Sequence, residues 1–154
     1  SRWEVWDQNA PEHRIWRVTY GVVGTSRTVA HREPDLAAAA RRLLGALSRI
    51  YSFALSQQMS GFATCFSHAI ATLTSAERDC YHSDLAPTGI LGQEATALLD
   101  ACRRSWVFGG MGSWNDMTFD GEAAADYDRV SQDLYDALNE AICAATNSTL
   151  PMDR

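Results

Sequence analysis

The segment from Phe108 to Asp116 has the residue types of a ligand-binding or catalytic loop. It contains three glycines in four positions, followed by hydroxyl, amide and carboxylate side chains. A nucleotide-binding G-x-G-x-x-G pattern would need glycine at 115, and a G-x-S-x-G nucleophile elbow would need glycine at both 111 and 115. Met111 and Asn115 stand at those positions. The pattern therefore favours a structural turn, whose members are Gly109, Gly110, Gly112 and Ser113.

Two other groups of residues could bind a metal or transfer protons. Cys65-x-x-His68 and Cys80-x-His82 contain two thiols and two imidazoles, but their spacing matches no common zinc finger. His82 and Asp84 could form a general-base dyad, yet no nucleophile stands in a recognisable context beside them. We therefore predict no metal, no cofactor and no catalytic residue.

The charge composition excludes several classes of function. All thirteen basic residues are arginine, against nineteen acids, and the net charge is −6. Without lysine there is no Walker A loop, no Schiff-base chemistry and no kinase-type phosphate lysine. Negative charge disfavours nucleic-acid binding, and no apolar run approaches the 18 residues of a membrane span. The composition favours a cationic protein partner.

Periodicity predicts four helices after a short β segment. Apolar residues recur at spacings of three and four over about 35–58, 62–74, 90–106 and 121–146. Apolar and polar residues alternate over 14–23, after an apolar run at 3–6, which predicts a hairpin with room for a third strand at 26–31. Such a ribbon is not stable alone and should pack on the helices. We predict one mainly α domain over 1–154, a bundle of about four helices (35–147) carrying an N-terminal β ribbon (1–32).

The four cysteines point to a reducing compartment. Cys65, Cys80, Cys102 and Cys143 form no C-x-x-C pair, and a chain of 154 residues needs no disulfide to be stable. We expect reduced thiols packed in the core. With no visible signal peptide, this predicts a cytoplasmic protein.

The last predicted helix concentrates the negative charge. Residues 116–140 hold eight acids and one arginine. One helical sector of about 80° contains Glu122, Asp126, Arg129, Asp133, Asp136 and Glu140. A solvated face is the simpler explanation, but such a face usually interleaves basic residues at i+4. The imbalance favours a basic partner that is steered towards this helix.

The loop at 109–116 also resembles a family signature. Gly-Gly-Met-Gly-Ser-Trp-Asn-Asp, after the helix that contains 98–102, is similar to the Gly-Gly-Met-Gly-Ser-x-Asn-Asp signature of a family of small helical bacterial domains of unknown function. The resemblance covers roughly 36–147, only the loop is specific, and the N-terminal ribbon departs from the pattern. Such domains resemble immunity-type proteins encoded beside secreted toxins. The resemblance implies a protein that binds and blocks a cognate toxin.

Together these observations predict a non-catalytic inhibitor that uses an acidic surface, with a basic nuclease as one kind of toxin. We expect a monomer or weak homodimer that binds neither nucleic acid nor membrane. The residues expected to contact the partner are Asp116, Asp126, Asp133, Asp136, Glu140, Trp114 and Asn115.

Two other classes of function stay open. A small enzyme or ligand-binding module would gather Ser113, Asn115, Asp116 and His82 around a deep, enclosed pocket. A structural or oligomerisation domain would use the tryptophans of the N-terminal ribbon to pair a strand edge with another copy.

Overall fold

A computed structural model describes residues 2–6, 9, 16–20, 34–75 and 91–148, in two compact units, 1–32 and 33–154. In the first unit, strands β1 (Arg2–Trp6) and β2 (Trp16–Tyr20) pair antiparallel, with Arg2 opposite Tyr20. The expected third strand at 26–31 lies outside the described residues. That the ribbon packs on the helices stays a prediction.

The second unit is a four-helix bundle, which confirms the mainly helical class predicted from periodicity. Its helices are α1 (Leu36–Ser56), α2 (Ser60–Thr74), α3 (Gln93–Ser105) and α4 (Glu122–Asn147). Each helix packs against the next in chain order, and α4 closes the ring by packing against α1. None of the described helices has an apolar stretch long enough to cross a bilayer.

Small side chains allow the helices to approach closely. Many of the buried core residues are alanines, and the predicted inner face of α4 is buried at Val130, Leu134, Leu138, Ala141 and Ala145. Larger side chains from α1, among them Leu43, Leu47 and Ile50, fill the centre. Alanine combines high helix propensity with small volume, so an alanine-rich bundle gains rigidity and leaves space for one large side chain.

The α1–α2 break lies earlier than the sequence predicts. The first two predicted helices leave a gap at 59–61, but Ser60 and Gly61 lie in the first turn of α2. Instead, Gln58 adopts a left-handed backbone with φ of 59°. The Gln58 N–H donates to Leu55 O at 3.0 Å and the Met59 N–H to Ala54 O at 2.8 Å, which is the Schellman pattern of a helix end. A hydrogen-bonded turn thus ends α1 without glycine.

The start of α1 is capped by a side chain. Asp35 Oδ1 accepts a hydrogen bond from the Ala38 N–H at 2.7 Å, so one of the unpaired amides of the first turn is satisfied. Pro34 lies directly before this cap. Asp35 therefore stabilises the start of α1, close to the predicted boundary at about 35.

Because Gln58 adopts a conformation that costs a non-glycine residue roughly 1 kcal/mol, Gln58→Gly should raise the free energy of unfolding by about 0.5–1 kcal/mol. The matched control is Gln57→Gly, where φ is −93° and glycine only adds freedom to the unfolded chain, so that variant should be less stable than wild type. Urea unfolding followed by circular dichroism measures both changes, and equal effects of the two substitutions would contradict this account of the break.

Candidate functional site

Trp114 lies at the centre of the bundle, where the glycine loop delivers it. It is fully buried, and its ring stacks on Tyr127 at 5.5 Å between centroids. Edge-to-face contacts join it to Phe62 at 5.1 Å and to Phe66 at 5.5 Å. Aromatic pairs in this geometry contribute beyond their buried area. No partner can reach this ring in the folded chain, so the expectation that Trp114 anchors a partner is wrong.

The polar groups of Trp114 are all hydrogen-bonded inside the protein. The indole Nε1–H donates to Ser131 Oγ at 2.6 Å, and the Trp114 backbone N–H donates to Val107 O at 3.0 Å. The Tyr127 hydroxyl donates to the Trp114 carbonyl at 2.6 Å. These bonds join the loop to α4 and to the end of α3, so the loop holds one fixed position.

The loop also satisfies its own polar groups. Ser113 Oγ donates to Gly109 O at 2.5 Å, and the Gly112 N–H donates to Asp116 Oδ2 at 2.6 Å. Gly109 and Gly112 have φ of 143° and 78°, conformations that favour glycine. Ser113 and Asp116 therefore shape the turn. Asn115, which lies between them in the chain, lines a groove beside α4.

Burial changes the acidity of Tyr127. Desolvation raises its pKa, the charge of Asp128 raises it further, and a hydrogen bond with Ser131 acts in the opposite direction. The phenol therefore stays protonated across the physiological range and keeps donating to the Trp114 carbonyl.

Asp133, expected on the partner surface, belongs to an ion pair within the protein. Its Oδ1 lies 2.6 Å from Arg42 Nη2, and its Oδ2 accepts hydrogen bonds from Arg49 Nε at 2.9 Å and Nη2 at 2.6 Å. Arg42 and Arg49 are two turns apart on α1 and enclose the carboxylate. Burial alone would raise the pKa of Asp133, but the hydrogen bonds and charges of Arg49 and Arg42 lower it overall. Asp133 therefore stabilises the bundle, and its predicted role in partner binding stays a prediction.

Three of the other predicted acids form an exposed acidic crest on α4, which we define as Asp126, Asp136 and Glu140. Asp126 accepts from Arg129 Nη2 at 2.7 Å, with both side chains more than half exposed, so water screens the pair. Asp136 accepts from Gln132 Nε2 at 2.8 Å. The crest keeps most of its negative charge towards solvent.

Sequence analysis missed an exposed aromatic cluster, which we define as Trp106, Phe108 and Tyr135. Phe108 and Tyr135 meet edge to face at 5.5 Å, and Trp106 lies 6.1 and 6.0 Å from them. Trp106 is 43% and Tyr135 44% exposed, unusual for rings of this size. One sequence feature indicated an exposed ring: Tyr135 lies outside the apolar face of α4. Met111, at the tip of the loop, is also fully exposed.

Two open grooves flank the aromatic cluster. One, of about 430 Å³, is lined by Phe108, Asn115, Asp128, Ser131, Gln132 and Tyr135. The other, of about 520 Å³, is lined by Leu99, Cys102, Arg103, Trp106 and Ile142. The first groove is the polar one, and it adjoins the acidic crest because Gln132 both lines it and donates to Asp136.

Asp100, to which the sequence assigned no role, is a buried acid. The Asp100 carboxylate is 2% exposed and pairs with Arg103 Nη2 at 3.0 Å and Arg104 Nε at 2.6 Å, all on α3. A buried carboxylate needs such partners because desolvation of an unpaired charge is very costly. The i+3 and i+4 spacing of the two arginines was its signal in the sequence.

The cysteines are only partly core-packed. Cys102 is buried, and desolvation raises its pKa to about 12, so it is not a nucleophile. Cys65 is half-buried and Cys143 is exposed, which corrects the expectation for these two. Cys80 and His82 lie outside the described residues. Within the described ranges, no three or more His, Cys, Asp and Glu side chains form a group that could hold a metal.

Comparison with protein-family models, with curated proteins and with solved structures found no match to this chain. The resemblance of the loop to a family signature therefore rests on the residues at 109–116 alone and stays a prediction.

The burial of Trp114 predicts a large difference between two tryptophans. Trp114→Phe loses the Ser131 hydrogen bond and leaves a cavity, so the free energy of unfolding should fall by about 2–3 kcal/mol. Trp106→Phe changes a ring that is 43% exposed and should cost less than about 1 kcal/mol. Urea denaturation compares the two variants. Similar losses would contradict the central position of Trp114.

The Asp133 ion pair predicts a pH-dependent stability. Asp133→Asn should lower the free energy of unfolding by about 1 kcal/mol at pH 7, because water screens arginines that stay 36% and 48% exposed. The folded pKa lies below the ordinary 3.8, so the contribution is present above that pH and disappears as pH falls through the folded pKa.

The stabilities of wild type and Asp133→Asn should therefore become equal at low pH. Thermal unfolding of both proteins at a series of pH values measures this change. The control, Asp126→Asn, alters a more exposed pair and should change stability by only a few tenths of a kcal/mol. A wild-type advantage that persists below the folded pKa would contradict the assignment.

Proposed function

We propose that this chain is a non-catalytic, immunity-type protein that binds and neutralises a cognate bacterial toxin through the exposed face of α4. The observation that carries the proposal is the adjacency of the acidic crest on α4 and the aromatic cluster, to which α4 contributes Tyr135. Tyr135 belongs to the cluster and Asp136 to the crest, and Gln132 connects the two surfaces. Exposed aromatic residues surrounded by polar side chains are typical of the residues that dominate protein interfaces.

The charge on this face suits a basic partner. Arg42 and Arg49 neutralise Asp133 within the bundle, whereas Asp136 and Glu140 are exposed and make no ion pair with a described residue. Exposed charge of one sign raises the association rate of an oppositely charged partner. A toxin that attacks nucleic acid would have such a basic surface, because it must bind phosphates.

Two predicted contact residues keep a role in this proposal. Asn115 lines the polar groove beside the aromatic cluster, and Asp116 is exposed at the end of the loop. Met111 adds an apolar contact at the loop tip. These residues are held on a scaffold fixed by Trp114, so little conformational freedom is lost when a partner binds.

A ligand-binding module is the second candidate, and the groove beside Asn115 is the observation that favours it. Two of the side chains it would use, Ser113 and Asp116, bond within the loop instead. The groove is also open rather than enclosed, whereas small-molecule sites bury most of their ligand. Protein docking accounts for these features better.

The experiment reverses charge on the crest. Asp136→Arg combined with Glu140→Arg should lower the association rate for the product of the neighbouring gene at least tenfold at low salt, because the steering field changes sign. The matched control is Glu94→Arg with Asp120→Arg, which makes the same change of charge outside the crest. Glu94 is exposed in the first turn of α3, and Asp120 is exposed two residues before α4 begins.

Surface plasmon resonance at two salt concentrations measures both rate constants, and circular dichroism verifies that the variants are folded. High salt should reduce the difference between wild type and the crest variant. An association rate unchanged by the crest substitutions, or changed equally by the control, would refute the proposal.

A further inference from the structure

We propose that the polar groove between the loop and α4 receives an arginine side chain of the partner protein. This inference rests on the proposed function, since it assigns the guanidinium to that partner. The groove is lined by two aromatic rings, by neutral polar groups and by one carboxylate that pairs with no described residue. Each of these features suits a planar cation.

Two aromatic rings line the groove. Phe108 and Tyr135 stand at 87° to each other with centroids 5.5 Å apart, and Trp106 lies 6.1 and 6.0 Å from them. The faces of aromatic rings attract cations through their quadrupole, and a guanidinium can also stack on them. These contacts would hold the flat side chain of an arginine more firmly than the compact ammonium of a lysine.

A carboxylate and two amides also line the groove. Asp128 is exposed and lines the groove, and it has no ion pair with any residue in the described ranges. The pKa of the neighbouring Tyr127 is raised mainly by desolvation and further by the negative charge of Asp128. Carboxylates bind guanidinium groups through paired hydrogen bonds. The Asn115 amide oxygen can accept another hydrogen bond from a guanidinium N–H.

The two grooves beside the aromatic cluster differ in their charged lining residues. Arg103, which is paired with Asp100, lines the larger groove, whereas no described arginine lines the groove that contains Asp128. Asp128 would therefore attract a cation to the smaller groove. At about 430 Å³ the smaller groove falls within the size range of ligand pockets, so it has room for one side chain.

The groove is organised before any partner binds. Ser131 in its lining accepts from the buried Trp114 Nε1, and Asn115 directly follows Trp114 in the loop. Gln132 is fixed by its hydrogen bond to Asp136. The glycine loop thereby places Asn115 beside the α4 residues of the groove, which gives this loop a role in the proposed binding.

The test uses the isolated whole chain and a small probe, N-acetyl-arginine amide, titrated up to tens of millimolar. Amide chemical shifts of Ser131, Gln132 and Tyr135 in nitrogen-15 NMR spectra should move and saturate. The uncharged isostere, N-acetyl-citrulline amide, should cause shifts at least fivefold smaller at equal concentration, because it lacks the charge that Asp128 and the rings recognise.

Two variants separate the groove from general charge attraction. Asp128→Asn should weaken probe binding at least fivefold, whereas Glu94→Gln, which removes an exposed acid on α3 outside the groove lining, should leave binding unchanged. Equal shifts with citrulline, equal weakening by the two variants, or no shift at these residues would overturn the inference. Because no partner is present, a failed titration alongside charge-dependent partner binding overturns this inference and leaves the proposed function standing.

Discussion

The burial of one tryptophan fixes the relative positions of the loop, α4 and the end of α3. Trp114 fills the space that small helical residues leave in the bundle, and each of its polar groups has a partner inside the protein. Leaving such groups unpaired in the core would cost about 1–3 kcal/mol each. Since Gly109 and Gly112 let the chain turn inward, the loop serves to insert this side chain and to hold Asn115 beside α4.

The acids of α4 divide by their surroundings into two kinds. Asp133 faces α1 and is enclosed by Arg42 and Arg49, so its charge contributes to packing of the two helices. Asp128, Asp136 and Glu140 face solvent, where their charges act on whatever approaches. A helix with this division can be stable in its own bundle and still attract a cationic protein, because Asp133 is paired within the bundle while the other three acids stay exposed.

Helical periodicity predicted the four helices because their apolar stripes are long and regular. It could not place Trp114, since one aromatic residue in a glycine-rich loop has no period that indicates burial. The same limit applies to Asp133: its sector on α4 is visible in the sequence, but the arginines that neutralise it come from another helix, 84 residues away for Arg49. The aromatic cluster combines α4 with residues that follow α3, so only the folded chain brings it together.

Side-chain footprinting tests the central claim most directly, that the outer face of α4 beside the aromatic cluster is a docking surface for a basic partner. Carbodiimide labelling of carboxylates would be measured in the free chain and in its complex with the neighbouring gene's product. The account predicts that labelling of Asp128 and Asp136 falls severalfold in the complex, while Glu94 on α3 is unchanged. Protection of Glu94 with full labelling of Asp128 and Asp136 would contradict it.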